Sequence, residues 1–256
     1  MHEKNILTDK ELWAKEIEKL ELPVVLNRDI RSDRIFIKIF EQYFSTGDGS
    51  QKKVLEIGCN PGKFLIYFKQ YLKFNISGID YDEIGCAITK ENLKSANISG
   101  NIKIQDILSY KTKEKFDVVL SCGFIEHFKN DVLKKVLKTH LELLNTNGKL
   151  FLSVPNFRYF NYIAAYLLRR GILKFHNLEV MQKSFLESFA EENNLNIEFI
   201  AYFGGIHIGG IKFNKNNKLK WLINELVFKR YEKSKIFDKV NSKYFSHHLG
   251  AIFTKK

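Results

Sequence analysis

Short apolar segments of strand length alternate with helical segments between Lys52 and Val154, and this alternation most restricts the possible folds. The strand-like segments are KKVLEIG, NISGID, NIKIQD, KFDVVLSCG and GKLFLSVP. The segments FLIYFKQYL, EIGCAITKENLKSA and DVLKKVLKTHLELL repeat apolar residues every three or four positions, as helices do. The pattern predicts an α/β fold, in which helices cover both faces of a parallel sheet.

The flanking regions predict helices before this core and mixed elements after it. Helical patterns occur at 12–20, 35–44, 157–170, 180–193 and 219–226, and strand-like segments are NIEFIAYFG and HHLGAIFTKK. Asn147-Gly148 predicts the end of the helix before the fifth strand. We predict one domain over 1–256, with an N-terminal helical cap at 1–50, a core at 51–156, and later helices, two strands and a basic insertion at 157–256.

Composition predicts a cytoplasmic protein without a disulfide framework. The N-terminus is charged throughout, unlike a secretory signal, and the longest apolar run is closed by Arg169 and Arg170. That run is well short of the roughly 20 residues that span a bilayer. Cys59, Cys86 and Cys122 are far apart and form no C-x-x-C pair, which argues against disulfides and a zinc site.

Positive charge is concentrated near the C-terminus. The formal net charge is +12, and residues 211–256 hold twelve Lys and Arg against Glu225, Glu232 and Asp238, a local net of +9. Such a field favours an anionic partner, whether a phosphate-bearing small molecule, a nucleic acid or a membrane surface.

The loop in VLEIGCNPGKF has the spacing of neither of two common nucleotide-binding loops. A P-loop requires four residues between its glycines and a hydroxyl residue after the lysine, but three residues separate Gly58 from Gly62, and Phe64 follows Lys63. The dinucleotide fingerprint G-x-G-x-x-G requires glycine where Asn60 stands. What remains is an acid at the strand end, Glu56, followed by Gly58, Asn60 and Gly62 at alternate positions.

This arrangement resembles motif I of the class I S-adenosylmethionine-dependent methyltransferases, an acid followed by three alternate glycines. Asn60 departs from the middle glycine, and we expect it to tolerate a left-handed backbone there. The resemblance implies that S-adenosylmethionine is the cofactor. It also implies that Glu56, Gly58, Cys59, Asn60 and Gly62 lie at its methionine part.

The later strand ends also match the family. Asp80, with Tyr81, ends the second strand, where a carboxylate can accept hydrogen bonds from ribose hydroxyls. In the family, the position of Asp106 hydrogen-bonds the adenine amino group, with Ile107 beside the ring. The resemblance covers 52–156, the cofactor-binding core.

The fourth strand ends at Ser121 and Cys122, where family members offer backbone carbonyls to the cofactor. The resemblance further implies a Rossmann-like seven-stranded, mostly parallel sheet whose last strand is antiparallel. NIEFIAYFG and HHLGAIFTKK are then the sixth and seventh strands.

Three histidines, His127, His176 and His207, are candidates for the catalytic base that a neutral hydroxyl acceptor requires. His127, in FIEHF, resembles the Glu-His pair of many small-molecule methyltransferases, and packing against Phe124 or Phe128 is the alternative. His176 matches a histidine that such enzymes place before strand six. Because Glu126 stands without other carboxylates after the fourth strand, the sequence implies no metal.

The segment PNFRYFNY, after the fifth strand, is the usual acceptor-side region. Asn156, Arg158 and Tyr159 are candidates to bind a polar or phosphorylated acceptor, and the alternative is the packed start of a helix. Arg offers a planar fork for phosphate. His207, in GGIHIGG, is a further candidate.

These features predict a small-molecule methyltransferase that prefers oxygen and a small, anionic acceptor. The resemblance is to enzymes of sugars, nucleotide-linked sugars and capsular polysaccharide precursors, including phosphoramidate substituents. One alternative is an RNA methyltransferase that uses the basic C-terminal region, where Trp221, Phe228 and Tyr231 alternate with cations. Another is a non-catalytic cofactor-binding or membrane-surface module.

Overall fold

A computed structural model describes residues 5–7, 21–45, 47–168, 170–206, 233–234 and 236–256. The strands are β1 (Lys53–Ile57), β2 (Asn75–Asp80), β3 (Asn101–Ile104), β4 (Phe116–Cys122), β5 (Leu144–Pro155), β6 (Leu195–Ile206) and β7 (Ser246–Lys255). The α-helices are α1 (Arg31–Phe44), α2 (Lys63–Gln70), α3 (Glu83–Ser95), α4 (Asn130–Glu142), α5 (Phe160–Leu168) and α6 (Lys183–Glu192). Short 3-10 turns occur at Ile125–His127, Arg170–Phe175, Glu179–Met181 and Ile236–Lys239.

The strands of the described chain form one seven-stranded sheet in the order β3-β2-β1-β4-β5-β7-β6. Neighbours from β3 to β5 pair in parallel, and β7 pairs antiparallel with both β5 and β6. The predicted seven-stranded sheet with an antiparallel last strand is therefore confirmed. The strand order reverses between β1 and β4, where open α/β sheets form a crevice for ligands.

The two faces of the sheet carry separate apolar cores, because successive side chains of a strand point to opposite faces. Leu55 and Val119 belong to the core beneath α4 and α6, whereas Val54 and Leu120 belong to the core beneath α1, α2 and α3. All four residues are at least 97% buried. Both faces are thus covered, as expected for strands with near-continuous apolar sequence.

Phenylalanine rings fill the core between α1, α2 and the sheet. Phe36 and Phe40 on α1 contact Phe64 on α2, with ring centroids 5.0 Å and 5.6 Å apart, and Phe40 lies edge-on to Phe151 of β5 at 5.4 Å. This packing confirms the helix predicted around 35–44. The helical pattern at 12–20 and the one at 219–226 lie outside the described residues.

The junction between α4 and β5 differs from the prediction. Helix α4 ends at Glu142 and β5 begins at Leu144, so Asn147-Gly148 lies within the strand rather than at the helix end. The pairing with β4 shifts there, since Phe116 pairs with Leu144 but Val118 pairs with Lys149. Asn147 adopts a left-handed backbone (φ 60°), which accommodates the extra residues of this bulge.

A buried ion pair joins α1 to the turn before β7. The guanidinium of Arg34 donates from Nε and Nη2 to both oxygens of Asp238, at 2.9 and 2.8 Å, and both side chains are about 95% buried. Lys38 Nζ, which is largely exposed, also donates to Asp238, at 2.7 Å. Burial opposes ionisation of Asp238, but these hydrogen bonds outweigh it and lower its pKa.

We expect Asp238→Asn to reduce the free energy of unfolding by about 3 kcal/mol, because it leaves the buried Arg34 charge without its counter-charge. The matched control is Lys38→Met, which removes the exposed partner of the same carboxylate and should cost less than about 1 kcal/mol. Urea unfolding measures both. Equal losses in the two variants would contradict the assignment of the buried pair as the stabilising one.

His140, on α4, is buried as a neutral imidazole. Its Nδ1–H donates to the carbonyl of Val136 at 2.8 Å, and its Nε2 accepts from the Ser121 hydroxyl at 3.1 Å. Burial lowers its pKa to about 4, although the Val136 carbonyl favours the protonated form.

Because the unfolded chain takes up this proton near the ordinary pKa of 6.5 and the folded chain only near 4, stability should fall as the pH drops through that window. At about 1.4 kcal/mol for each pH unit, the loss from His140 totals about 3 kcal/mol. Urea unfolding at several pH values should show a flatter profile for His140→Gln than for the wild type between pH 6.5 and 4. Identical slopes would contradict this origin of the acid sensitivity.

Candidate functional site

A cavity of about 280 Å³ lies at the carboxyl ends of β1, β2, β3 and β4. Parallel pairing brings these strand ends to one edge of the sheet, so residues distant in sequence meet there. Of the predicted cofactor residues, the cavity is lined by Gly58, Asn60, Asp80, Tyr81, Asp106, Ile107 and Cys122. The catalytic candidate His127 lines it as well.

The loop after β1 depends on two glycines with left-handed backbone conformations, Gly58 (φ 72°) and Gly62 (φ 82°). A Cβ at Gly58 would lie 2.6 Å from the Phe124 ring, and one at Gly62 would lie 2.8 Å from the Thr89 methyl group. Neither position has room for a side chain. Glycine is therefore required at both by conformation and by space.

Asn60 corrects one expectation, since it is absent from the residues of the described chain that have a left-handed backbone. Gly58 and Gly62 make the turn, and Asn60 precedes a cis Pro61 between them. Its backbone N–H donates to the Asp80 carboxylate. Its side-chain Oδ1 is buried and has no hydrogen-bond partner among the described residues, so it remains available to a ligand in the cavity.

Cys59, Gly62, Glu56 and Ser121 do not line the cavity. Cys59 packs against Gly78, where a Cβ would approach it to 2.8 Å, and the Ser121 side chain contacts His140. Glu56 is buried beneath the loop. Burial raises its pKa well above the ordinary value, although nearby Lys63 and a hydrogen bond from the backbone N–H of Leu65 oppose this.

Asp80 and Asp106 line the cavity from adjacent strand ends. Asp80 accepts a hydrogen bond from the backbone N–H of Asp82 at 3.0 Å. Burial raises its pKa, and backbone N–H groups of Asp82, Asn60 and Tyr81 oppose that rise. Asp106 is exposed and accepts from the backbone N–H of Leu108 at 2.9 Å. Both carboxylates are thus oriented by backbone hydrogen bonds.

The helix α3 supports the loop from behind, which the sequence analysis missed. Thr89 donates to the Cys59 carbonyl at 3.3 Å, and the Asn92 amide donates to the Pro61 carbonyl at 2.7 Å. Both α3 side chains are fully buried. Their position on the apolar face of a helix was the available signal, because buried polar side chains require partners.

Beside the cavity, Glu126, His127 and His176 form a compact cluster. The two imidazole centroids are 5.0 Å apart, and His127 Nε2 lies 3.9 Å from Glu126 Oε1. Burial raises the pKa of Glu126 to about 8. Burial also lowers the pKa of His127, although the hydrogen bond to the Phe175 carbonyl opposes this. The structure therefore brings together the two histidines that the sequence proposed separately.

A buried amide holds the His176 segment against the segment after β4. The backbone N–H of Asn177 donates to the Glu126 carbonyl at 2.7 Å, and its side chain donates to the Phe128 carbonyl at 3.0 Å. The Nδ1–H of His127 donates in return to the Phe175 carbonyl at 2.8 Å. We call these three contacts the Asn177 clamp. No local sequence signal identifies Asn177, because its partners are distant in the chain.

The acceptor-side candidates lie apart from the cavity lining. Asn156 is fully buried, and its amide donates to the carbonyls of Lys243 and Ser246, at 3.0 and 2.8 Å, so it joins the end of β5 to the start of β7. Arg158 and Tyr159 stack on each other, 5.6 Å from guanidinium carbon to ring centroid. His207 lies outside the described residues.

Much of the basic C-terminal region also lies outside the described residues, and the RNA-binding alternative remains a prediction. Among the residues that the structure covers, no helix combines the length and apolar character needed to cross a bilayer.

Ile6, near the N-terminus, lines the cavity although nothing in the sequence indicated it. It forms an antiparallel bridge with Phe128. The N–H of Leu7 donates to the His127 carbonyl at 2.8 Å, and the N–H of Lys129 donates to the Asn5 carbonyl at 2.9 Å. Residues 5–7 thus pair with the segment that carries His127 through one antiparallel bridge and its flanking backbone hydrogen bonds.

The residues present fit S-adenosylmethionine. Carboxylates at successive strand ends suit ribose and adenine, Ile107 adds an apolar surface, and the unsatisfied Asn60 Oδ1 lies beside the glycine turn. A residue larger than glycine at position 58 would place its Cβ in the space between the loop and the Phe124 ring. A nucleoside with a polar tail is the ligand that this donor set and shape accommodate.

Comparisons with known proteins agree with this arrangement. Residues 28–199 match the family described as methyltransferase domain. The chain is 30% identical over 152 residues to a ubiquinone biosynthesis O-methyltransferase of Pelagibacter ubique, covering 57% of this chain and 62% of that protein. It is 31% identical over 108 residues to (S)-coclaurine N-methyltransferase of Papaver somniferum, covering 39% of this chain and 28% of that enzyme. These matches thus span less than two thirds of either relative.

Solved structures share the fold. A SAM-dependent methyltransferase from Archaeoglobus fulgidus superposes with a TM-score of 0.60 at 17% identity, covering 96% of this chain and 100% of that one. Coclaurine N-methyltransferase bound to N-methylheliamine and SAH superposes with a TM-score of 0.58 at 17% identity, covering 85% and 70%. The family match covers more than half of the chain, so this protein belongs to the class I S-adenosylmethionine-dependent methyltransferases.

Proposed function

We propose that the protein methylates an oxygen atom of a small, anionic acceptor, of the class of sugars, nucleotide-linked sugars and capsular polysaccharide precursors, including phosphoramidate substituents. The observation that carries this proposal is the cluster of Glu126, His127 and His176 beside the cofactor cavity. When bound, S-adenosylmethionine supplies an electrophilic sulfonium methyl group. The chain must then orient the acceptor and manage its proton.

The cofactor is held, in this proposal, by residues at the strand ends. The Asp80 carboxylate accepts from the ribose hydroxyls, and Asp106 with Ile107 receives the adenine. The glycine loop and Cys122 lie along the methionine part. Support comes from the shared cavity and from the backbone hydrogen bonds that orient both carboxylates.

Oxygen is favoured because the cluster supplies a proton acceptor. A neutral hydroxyl requires one, whereas an unprotonated amine attacks with its own lone pair. Burial lowers the pKa of His127, so its imidazole is neutral at pH 7 and able to take a proton. General-base assistance is worth roughly a hundred- to ten-thousand-fold. The relatives include both O- and N-methyltransferases, and the cluster is what favours oxygen.

An anionic acceptor is favoured by the cations near this cluster. Phe157 packs against the His176 ring at 4.8 Å, and its neighbour Arg158 stacks on Tyr159. Lys243 Nζ lies 6.0 Å from the centroid of the same Tyr159 ring. Arg158 thus follows directly after a residue in contact with the cluster, where a phosphate could pair with its guanidinium.

We expect Asp80→Ala to weaken binding of S-adenosylhomocysteine by at least tenfold, because charge-assisted hydrogen bonds contribute about 1.5–3 kcal/mol. Calorimetric titration of the folded protein measures the effect. The control is Asp48→Ala, which removes an exposed carboxylate before β1, near the opposite edge of the sheet. Unchanged affinity in Asp80→Ala would contradict the ribose contact, and a folded wild type that does not bind would contradict the cofactor site.

Acceptor preference is tested by measuring transfer of the labelled methyl group from S-adenosylmethionine. The acceptors are matched pairs of phosphorylated and neutral sugars, and amines represent the alternative class of acceptor. We expect O-methylated phosphorylated or nucleotide-linked sugars, identified by product mass. Arg158→Gln should raise KM for these acceptors about tenfold or more with little change in kcat, because the lost contact binds ground and transition states alike.

The control for that variant is Lys138→Gln, on the exposed side of α4. Transfer only to amines would refute the oxygen assignment. An unchanged KM in Arg158→Gln would refute the role of Arg158 in binding the anion.

A further inference from the structure

We propose that Glu126, His127 and His176 form a binding site for a divalent transition-metal ion of the zinc type. Each residue offers one donor atom, and the three atoms lie within 4.8 Å of one another. Metal bonds of about 2.0–2.2 Å to such donors separate the donors by about 3.4 Å in tetrahedral geometry. Side-chain shifts of about 1 Å would therefore close the site around an ion.

The two imidazoles are held as metal-ligating histidines usually are. The Nδ1–H of His127 donates to the Phe175 carbonyl at 2.8 Å, and the Nδ1–H of His176 donates to the Ile172 carbonyl at 2.7 Å. A hydrogen bond from one ring nitrogen to a carbonyl fixes the tautomer and makes the other nitrogen a better donor to metal. In both rings that nitrogen is Nε2.

Glu126 would supply the carboxylate ligand, since metal binding releases the proton of a ligating group. Its side chain is 99% buried, and Oε2 has no hydrogen-bond partner within the described part of the chain. A buried carboxylate is usually paired or bound to a metal. In the described structure no Lys or Arg forms an ion pair with it, and the neutral imidazoles lack the charge that a cation would bring.

The donor set selects the class of ion. Two nitrogens and one carboxylate suit zinc, cobalt, nickel or iron, whereas magnesium and calcium prefer oxygen ligands. Three protein ligands leave a fourth position for water or substrate, as in catalytic zinc sites. Because His127 also lines the cavity, an open position on the side of that residue faces the cofactor site.

The chemical role rests on the proposed function, although ion binding itself does not. An acceptor hydroxyl at the open position would release its proton to solvent more readily, since zinc lowers the pKa of bound water to about 7. The oxygen then bonds to the methyl carbon, the carbon–sulfur bond breaks, and its electron pair stays on sulfur. The products are a methyl ether and S-adenosylhomocysteine. In this arrangement the two histidines are ligands of the ion, and the ion, rather than a histidine, activates the hydroxyl.

The test uses the full chain, stripped of metal with a chelator and dialysed. Zn²⁺ is titrated by calorimetry, and Co²⁺ is titrated by its visible absorption, which reports nitrogen and oxygen ligation directly. We expect one ion per chain. Glu126→Gln and His176→Gln should each weaken binding by roughly a hundredfold or more, given that even outer-shell changes cost 10–100-fold.

Cys86→Ser is the matched control, because buried thiols also bind zinc and Cys86 lies in hydrogen-bond contact with Cys59. It should retain wild-type affinity for the ion. Thermal unfolding and binding of S-adenosylhomocysteine verify that each variant is folded. His176 is only partly buried, so its variant keeps the test valid if Glu126→Gln unfolds.

A wild type that binds S-adenosylhomocysteine but takes up no stoichiometric ion would overturn the proposal. Displacement of Co²⁺ by a comparable concentration of Mg²⁺ would also overturn the proposal. Wild-type affinity for the ion in both Glu126→Gln and His176→Gln would do the same. Stoichiometric ion binding without cofactor binding would support the metal site and overturn the proposed function instead.

Discussion

Parallel pairing of β1 with both β2 and β4 is the constraint on which the site depends. In this register the chain leaves β1 toward β2 and β3 and returns to pair β4 on the other side of β1. The loops after β1 and β4 therefore diverge and leave a crevice. The strands remain in place because both faces are buried, under α1 to α3 on one side and under α4 and α6 on the other.

Close packing beneath the crevice explains the form of the loop. Gly58 lets the Phe124 ring approach the backbone, while Thr89 and Asn92 bind the loop carbonyls from α3. The loop is thus held by the second helix after it as well as by its own conformation. Such support orients backbone groups toward a ligand before that ligand arrives, which reduces the entropic cost of binding.

The cluster of Glu126, His127 and His176 is assembled by contacts of long sequence separation. The Asn177 clamp brings His176 to His127, and residues 5–7 pair with the backbone around Phe128. The cavity is lined by strand ends, whose relation is set by the sheet, whereas the cluster lies on loops joined by a few buried hydrogen bonds. This difference is consistent with one fold serving enzymes that act on different acceptors, because the residues of the site, rather than the fold, determine function.

The fold and most of the residues that line the cavity were predictable from sequence, and the contacts that form the cluster were not. Alternating strand and helix patterns determined the parallel core, and spacing around Gly58 and Gly62 indicated the loop. The bulge at Asn147 and the ordinary backbone of Asn60 were mispredicted, because local preference is overridden by pairing register and by neighbouring turns. Asn156 was assigned to an acceptor, but its amide joins two strand ends.

The sequence by itself determined which chemical groups stand at the strand ends, because periodicity and turn residues act over a few positions. Only the tertiary structure decided that Glu126, His127 and His176 share one cluster, that Ile6 enters the cavity, and that Ser121 contacts His140 instead. These contacts join residues far apart in the chain. Their partners are selected by the burial of polar groups that must be satisfied, a condition that exists only after the sheet and its helices have packed.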